Sequence, residues 1–350
     1  MTTADLLNIR LYNQGLVCAG FEKPEEVVAY MGAMQSQAYE MAKWGIGVRL
    51  PGTTNALVEE AFNQGRIIRT HILRPTWHFV VAEDFHWMME LSSPRLRPVF
   101  LNYGKMRGMD EEAIMKASRL VVPILEKYGH LTRLEIGEHL KTKGVDIDRH
   151  DMSHIMSRAE LDGIVCNGAV KGNKQTYALL AERVPKGNRL TKEEALEKLA
   201  RKFFTSHGPA TLQDYVWWSG LLTSDARKSV ECIKDDFICE EINGKSYWMK
   251  NDIQEPKAET SALLLPAFDE YVVSYKDRSE ILSEPHYRKI ITRTGVFSPT
   301  ITYNGEIIGN WKRVVKRKSI TAELAFFESV NKQVERLFQQ AVKLYEQFYG

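Results

Sequence analysis

Apolar residues along this chain keep a helical period over long stretches and change to alternation in short ones. In DEEAIMKASRLVVPILEKYG, the residues Ile114, Leu120, Val121, Ile124 and Leu125 fall on one side of a helix. In the next segment, LTRLEIGEHLKTKG, Thr132 and Glu135 have the spacing of a capping box, so a second helix starts there. RHDMSHIMSRAELDGIV then turns Met152, Ile155, Met156, Ala159 and Leu161 inward on a third. VCNGAVKGNKQTYALL follows as two short strands around a Gly/Lys turn. Three helices and a hairpin make the order of a winged helix, with the third helix as the recognition helix and KGNK as the wing.

The same order recurs on both sides. Upstream, the pattern predicts helices over Ala4–Gln14, Pro24–Met34, Gln37–Trp44 and Thr54–Gly65, then strands over Arg66–Ile72 and Trp77–Val81. Pro24 suits the first position of a helix. Downstream, TKEEALEKLARKFF opens a third copy, with its third helix starting near Thr223 and a hairpin turning at Asn243–Lys245. From Ser261 the texture is that of strands, in ALLLPAFDEYVVSYKDR and RTGVFSPTITYNGEIIGNWKRVVKRKSI, with a second NG turn at Asn304 and Gly305. This predicts a small, partly closed β domain, and ITAELAFFESVNKQVERLFQQAVKLYEQFY a single closing helix. The expected fold class is α+β: three tandem winged-helix domains at 1–100, 101–185 and 186–258, then a β domain with a terminal helix at 259–350.

Length agrees with several domains, since 350 residues exceed one ordinary core, and 44% hydrophobic residues suffice to fill several. Lys plus Arg is 47 and Asp plus Glu is 45, a net charge of +2 that predicts no partner. Its distribution says more. From Pro285 to Lys318 the chain carries Arg288, Lys289, Arg293, Lys312, Arg313, Lys316, Arg317 and Lys318 against Glu306 alone, while Ser229–Glu270 is acidic. Two faces of opposite sign follow, and a basic face is either the footprint of a polyanion or solvated surface. Cys18, Cys166, Cys232 and Cys239 are scattered without a CxxC pair, which predicts free thiols in a reducing compartment and no zinc site. Asp5 and Arg10 interrupt the first apolar residues, and no apolar run approaches a membrane span. The expectation is a cytoplasmic protein without cofactor or metal.

Several stretches could carry chemistry. QSQ, at Gln35–Gln37, places two amides two positions apart where helix is expected. On a continuous helix they would point roughly 200° apart, but at a helix break they could converge on one site. TWHF puts His78 on the strand face opposite Trp77 and Phe79, where it and Arg74 could line a polar cleft or serve structure alone. Asp269, Glu270, Asp277 and Arg278 read equally as acid–base groups or as turn residues with a local ion pair. His150, Ser153, His154, Ser157 and Arg158 form an outer stripe on the second recognition helix, able to reach phosphates or base edges, and Lys171 and Lys174 sit in its wing. GxSxG, Walker, GxGxxG and HExxH motifs are all absent.

The run from Gln35 to Phe79, with QSQ, W-x-x-x-x-R at Trp44–Arg49 and R-T-H-x-L-R-x-T-W-H at Arg69–His78, resembles the AlkZ-like winged-helix DNA glycosylases. LLPAFDEYVVSYKDR at Leu264–Arg278 and GVFSPTITYNGEIIGNW at Gly295–Trp311 extend the resemblance over most of the chain. It implies three tandem winged helices in an arch-like body with a C-terminal β domain. It also implies excision of N7-alkylated purines from duplex DNA and, in some members, unhooking of interstrand crosslinks. The family's catalytic motif of Gln, an aliphatic residue, then Gln or Asp falls on Gln35 and Gln37, with Ser36 departing from the aliphatic middle. Arg49, Arg74 and His78 lie within the matching motifs as candidate neighbours of the site.

Glutamines suit that chemistry. An N7-alkylated purine already carries positive charge and leaves without being protonated. The remaining tasks are to position a water and to favour an oxocarbenium-like sugar. An amide accepts through its oxygen and donates through its nitrogen, so it orients water without being a strong base. Gln37 is expected to hold the water and Gln35 the sugar or backbone, or the reverse. No lysine is required, because a monofunctional glycosylase forms no Schiff base. Lys312, Arg313, Lys316, Arg317 and Lys318, after the Phe297–Trp311 hairpin, are the expected groove contact. Three unequal copies suit a monomer on one duplex. The competing readings are a non-catalytic winged-helix regulator, with QSQ as a helix-junction cap, and a protein-interaction scaffold.

Overall fold

The computed structural model describes residues 1–18, 20–187, 189–251, 260–316 and 319–350. The chain forms two compact units, Met1–Val58 with Leu196–Gly350, and Glu59–Ala195. The first unit opens with α1 (Thr3–Asn13), α2 (Pro24–Met31), β1 (Met34–Gln35) and α3 (Tyr39–Gly47), and α4 (Asn55–Asn63) carries the chain across the boundary. The second unit holds β2 (Ile67–His71), β3 (Trp77–Val81), α5 (Phe85–Met106), α6 (Glu111–Tyr128), β4 (Leu131–Thr132), α7 (Arg133–Thr142), α8 (Asp151–Leu161), β5 (Val165–Asn167), β6 (Thr176–Leu179) and α9 (Leu180–Arg183). The chain returns through α10 (Lys192–His207) to α11 (Leu212–Ser219), α12 (Thr223–Ile233), β7 (Phe237–Ile242) and β8 (Lys245–Lys250). It ends with β9 (Ala262–Leu265), α13 (Glu270–Val273), α14 (Tyr287–Ile290), β10 (Thr300–Tyr303), β11 (Glu306–Lys316), β12 (Ser319–Phe326) and α15 (Lys332–Tyr349).

In the second unit α8 packs on both α5 and α6. The residues predicted to face inward, Met152, Ile155, Met156 and Ala159, join Ile114, Val121, Ile124 and Leu125 in one core. Thr132 and Glu135 form the expected capping box at the start of α7. β4, β6 and β5 make a small antiparallel sheet in that order, and Lys171 and Lys174 close the tip by exchanging backbone hydrogen bonds of 3.0 and 3.1 Å. The helix α5 is absent from the sequence expectation. It runs 22 residues through Pro94 and Pro98, each of which removes a backbone donor.

In the first unit both NG turns are as predicted. Asn243 and Gly244, and Asn304 and Gly305, all have positive φ, the geometry of tight hairpin turns. β9 to β12 form an antiparallel sheet in the order β12-β11-β10-β9. Among the described residues it is open, with β9 and β12 as edges, rather than partly closed as expected. The predicted closing helix is two elements. ITAELAF alternates and pairs with β11 as a strand, and only after Asn331, whose side chain caps the Val334 N–H at 3.0 Å, does α15 begin. FDEYVV is likewise a helical turn rather than strand, because the Asp269 carboxylate caps it by accepting from the Tyr271 N–H. Lys312 to Lys316 pair only with β12, so β11 and β12 run past the sheet as a two-stranded ribbon.

The C-terminal helix locks α3 onto this sheet. Tyr345 meets Trp44 at 5.1 Å and Trp311 at 4.8 Å between ring centroids, edge to face, and Phe348 meets Trp44 at 5.3 Å. The two indoles donate to consecutive carbonyls of β9, Trp44 to Leu264 at 2.6 Å and Trp311 to Leu265 at 2.8 Å. Gly47 makes the approach possible, since a Cβ there would lie 2.6 Å from the Phe348 ring. Gly47→Ala is therefore expected to destabilise the protein by about 1–3 kcal/mol through overpacking. A lowered Tm, partly recovered in Gly47→Ala/Phe348→Leu, would show it.

Candidate functional site

The two glutamines sit at a helix break. Gly32, at φ +78°, stops α2 three residues short of the predicted end. α3 starts at Tyr39, two residues later than predicted, so Gln37 lies outside it. Between them Met34 and Gln35 are extended and Gln37 lies in a bend. In extended backbone, residues two apart share a side and the residue between faces the other way. Burial does not follow that alternation: Gln35 and Ser36 are both buried, at 8% and 0% exposure, and Gln37 alone of the three is exposed.

Behind this segment lies a buried polar network. The Gln35 N–H donates to Glu270 Oε1 at 2.5 Å. Glu270 Oε2 accepts from Trp218 Nε1 at 3.0 Å and Ser274 Oγ at 2.5 Å, and His207 Nε2 lies 3.6 Å away. Burial pushes the His207 imidazole below its ordinary pKa. The adjacent Asp269 takes Arg49 in a two-pronged pair, Nη1 to Oδ2 at 2.8 Å and Nη2 to Oδ1 at 2.9 Å. Arg49 also donates to the Gln14 carbonyl and to Gln14 Oε1, and to the Gly45 carbonyl. Gln14 Nε2 donates to the Tyr275 hydroxyl, which donates to the carbonyl of His207. The network thus runs from Asp269 round to the neighbour of Glu270, entirely inside one unit.

Arg49 is therefore a strut. All five guanidinium hydrogens are used within the protein and its side chain is inaccessible, which leaves it no donor for a substrate. The carboxylates of FDEY do not form the local ion pair weighed from sequence. Asp269 reaches back to Arg49, and Asp277 pairs with Lys245 at 2.6 Å. Glu270, Gln14 and His207 escaped the sequence reading as parts of this site. The available signal was two charges inside the apolar run LLLPAFDEYVV, which require buried partners.

The remaining candidates separate on inspection. Arg74 and His78 belong to the second unit. His78 is fully buried, with Nδ1 3.0 Å from the Thr76 carbonyl. On α8, Ser157 is buried and not on the outer face as expected. Its neighbours at 155, 156, 159 and 160 are buried too, so the core stripe of this helix is wide enough to take it in. Arg158 is held by Asp162 at 2.6 Å and Glu111 at 3.1 Å, and Ser153 accepts from Arg133. Burial and the nearby Arg107 lower the pKa of His154. His150 is exposed at the helix start. In the wing, Lys171 pairs with Glu135 at 2.6 Å and Lys174 is exposed.

On the ribbon, alternation divides the basic residues. Lys312 and Lys316 share one side of β11 and are exposed. Arg313 points the other way, 4.0 Å from Glu40 and 5.2 Å over the Tyr349 ring. Arg317 and Lys318 lie outside the described residues. No helix among the described residues is long and apolar enough to cross a membrane.

Comparison with known proteins gives these features a family. The model of the AlkZ-like DNA glycosylases matches residues 28–348, and the chain belongs to that family. It is 22% identical over 311 residues to an interstrand DNA cross-link repair glycosylase of Streptomyces sahachiroi, covering 85% of this chain and 84% of that protein. The solved structure of the Streptomyces sahachiroi DNA glycosylase AlkZ has the same fold, with a TM-score of 0.80 at 18% identity over 99% of this chain and 96% of that one. The resemblance drawn from QSQ and the later motifs is thus borne out at the level of family.

Because Arg49 and Asp269 are inaccessible and each other's main partner, Arg49→Ala is expected to lose about 3–5 kcal/mol of stability by leaving a buried charge uncompensated. Urea denaturation at neutral pH would measure it, and Arg49→Lys should recover only part, since an ammonium cannot reproduce the fork.

Proposed function

We propose that this chain is a monofunctional DNA glycosylase that hydrolyses the N-glycosidic bond of cationic N7-alkylated purines in duplex DNA. The name of its Streptomyces relative extends the reading to lesions within interstrand crosslinks. The observation that carries it is the placement of QSQ in an extended break, with Gln37 exposed and Ser36 turned into the protein. In this reading Gln37 accepts a hydrogen bond from water through its amide oxygen and aims it at the sugar. Gln35, pinned through its own N–H, sets the position of Gln37 and touches the sugar or phosphate. The amides need not be strong bases, because the leaving base is already cationic.

The helix-and-hairpin segments are read as three winged helices on a monomer. Lys312 and Lys316 on the ribbon follow the phosphate backbone, with His150 and Lys174 as further contacts. Lys171 and Arg158 play less part, since each pairs with a carboxylate within the protein, and Arg313 turns toward Glu40 and the Tyr349 ring.

Base release from a duplex with a single N7-methylguanine tests the chemistry. Wild type should release the base, while Gln37→Ala and Gln35→Ala should each be slower by about 100-fold or more while still binding DNA. A duplex carrying a crosslink serves as the second substrate. A wild type that binds but releases nothing from either would sink the reading. Lys312→Ala and Lys316→Ala should each weaken binding regardless of sequence and lower the salt-dependence slope by about 1. Titrations at several salt concentrations would show this, and an unchanged slope would remove the ribbon from the interface.

A further inference from the structure

We infer that Glu270 is a positioning residue for the reaction, acting through the backbone of Gln35; this rests on the glycosylase reading above. A carboxylate buried to 1% exposure requires full hydrogen bonding, and three of its donors are Trp218, Ser274 and the main chain of Gln35. Two of these are scaffold. The third is the peptide of the first candidate catalytic residue, whose N–H donates to Oε1 at 2.5 Å. Trp218 and Ser274, from α11 and beside α13, fix the carboxylate before it meets Gln35.

The tether also has a partner on the other side of the bend. Asp269, one residue away, holds Arg49, which follows α3 and donates to Gly45 within it. The QSQ bend thus lies between two attachment points that belong to one dipeptide, more than two hundred residues further along the chain. Ser36 to Ala38 lie outside helix and strand, bounded by the tether at Gln35 and the start of α3 at Tyr39. A displacement of about 1 Å in a group such as the Gln37 amide is enough to slow a reaction about 100-fold without touching binding.

The test compares Glu270→Gln and Glu270→Met with wild type and Gln37→Ala. Single-turnover base release, DNA Kd and hydrogen exchange of the Gln35 amide are measured on the full chain. Methionine keeps the length and removes the acceptor. It should slow release about 100-fold, leave Kd within about threefold and speed exchange at Gln35 while the rest of the core keeps its protection. Glutamine has one oxygen for the Gln35 and Trp218 N–H groups together, so it should slow release about tenfold with an intermediate exchange rate. Should the methionine variant not fold, the glutamine variant decides alone. A wild-type rate in either variant overturns the proposal, as does an equal loss in both or a parallel loss of DNA affinity. If wild type itself releases no base, the glycosylase reading falls, while Gln35 exchange still reports on the tether.

Discussion

Arg49 and Asp269 form an ion pair sealed from water, and the first unit is organised around it. A guanidinium and a carboxylate leave water only when every hydrogen and lone pair finds a partner. Arg49 meets that demand by collecting groups from α3, from the end of α1 and from the cap of α13. Because the fork is planar and two-pronged, it fixes direction as well as distance. The N-terminal helices thereby gain a single orientation against the C-terminal sheet, which the Trp44, Tyr345 and Phe348 contacts then fill with apolar packing.

That arrangement also fixes one end of the short segment proposed to carry the chemistry. Gln37 sits on irregular backbone, normally the least fixed part of a fold, just beyond the strand that ends at Gln35. Here the segment is bounded by a charged tether at Gln35 and a helix start at Tyr39. Ser36, the middle residue of the proposed motif, is fully buried. Under the proposed function, an amide in such a setting supplies orientation with little basicity, which suits a leaving group that is already cationic and would suit a neutral base poorly.

Charge on the surface has to be read after the protein's own ion pairs are subtracted. The outer face of α8 is less of a polyanion surface than its residue types suggest, since Arg158 is neutralised by Asp162 and Glu111 and burial lowers the pKa of His154. The ribbon keeps Lys312 and Lys316 for solvent because strand alternation turns Arg313 toward Glu40 and Tyr349.

The sequence by itself determined the local structure wherever a local cause existed. The helical period gave α6 and α8, the capping box gave the start of α7, and the NG turns gave both hairpins, because each depends on residues within a few positions. QSQ and the motifs after it gave the family. Local causes misled where local patterns competed: ITAELAF reads as the start of a helix but finds a partner strand in β11, and Ser157 looks polar and outward but faces the core. Tertiary structure alone decided that Met1–Val58 joins Leu196–Gly350 and that Arg49 is a strut. It also decided that Glu270 holds the backbone of Gln35. These are pairings across some two hundred residues, and no periodicity or propensity records which buried charge will meet which.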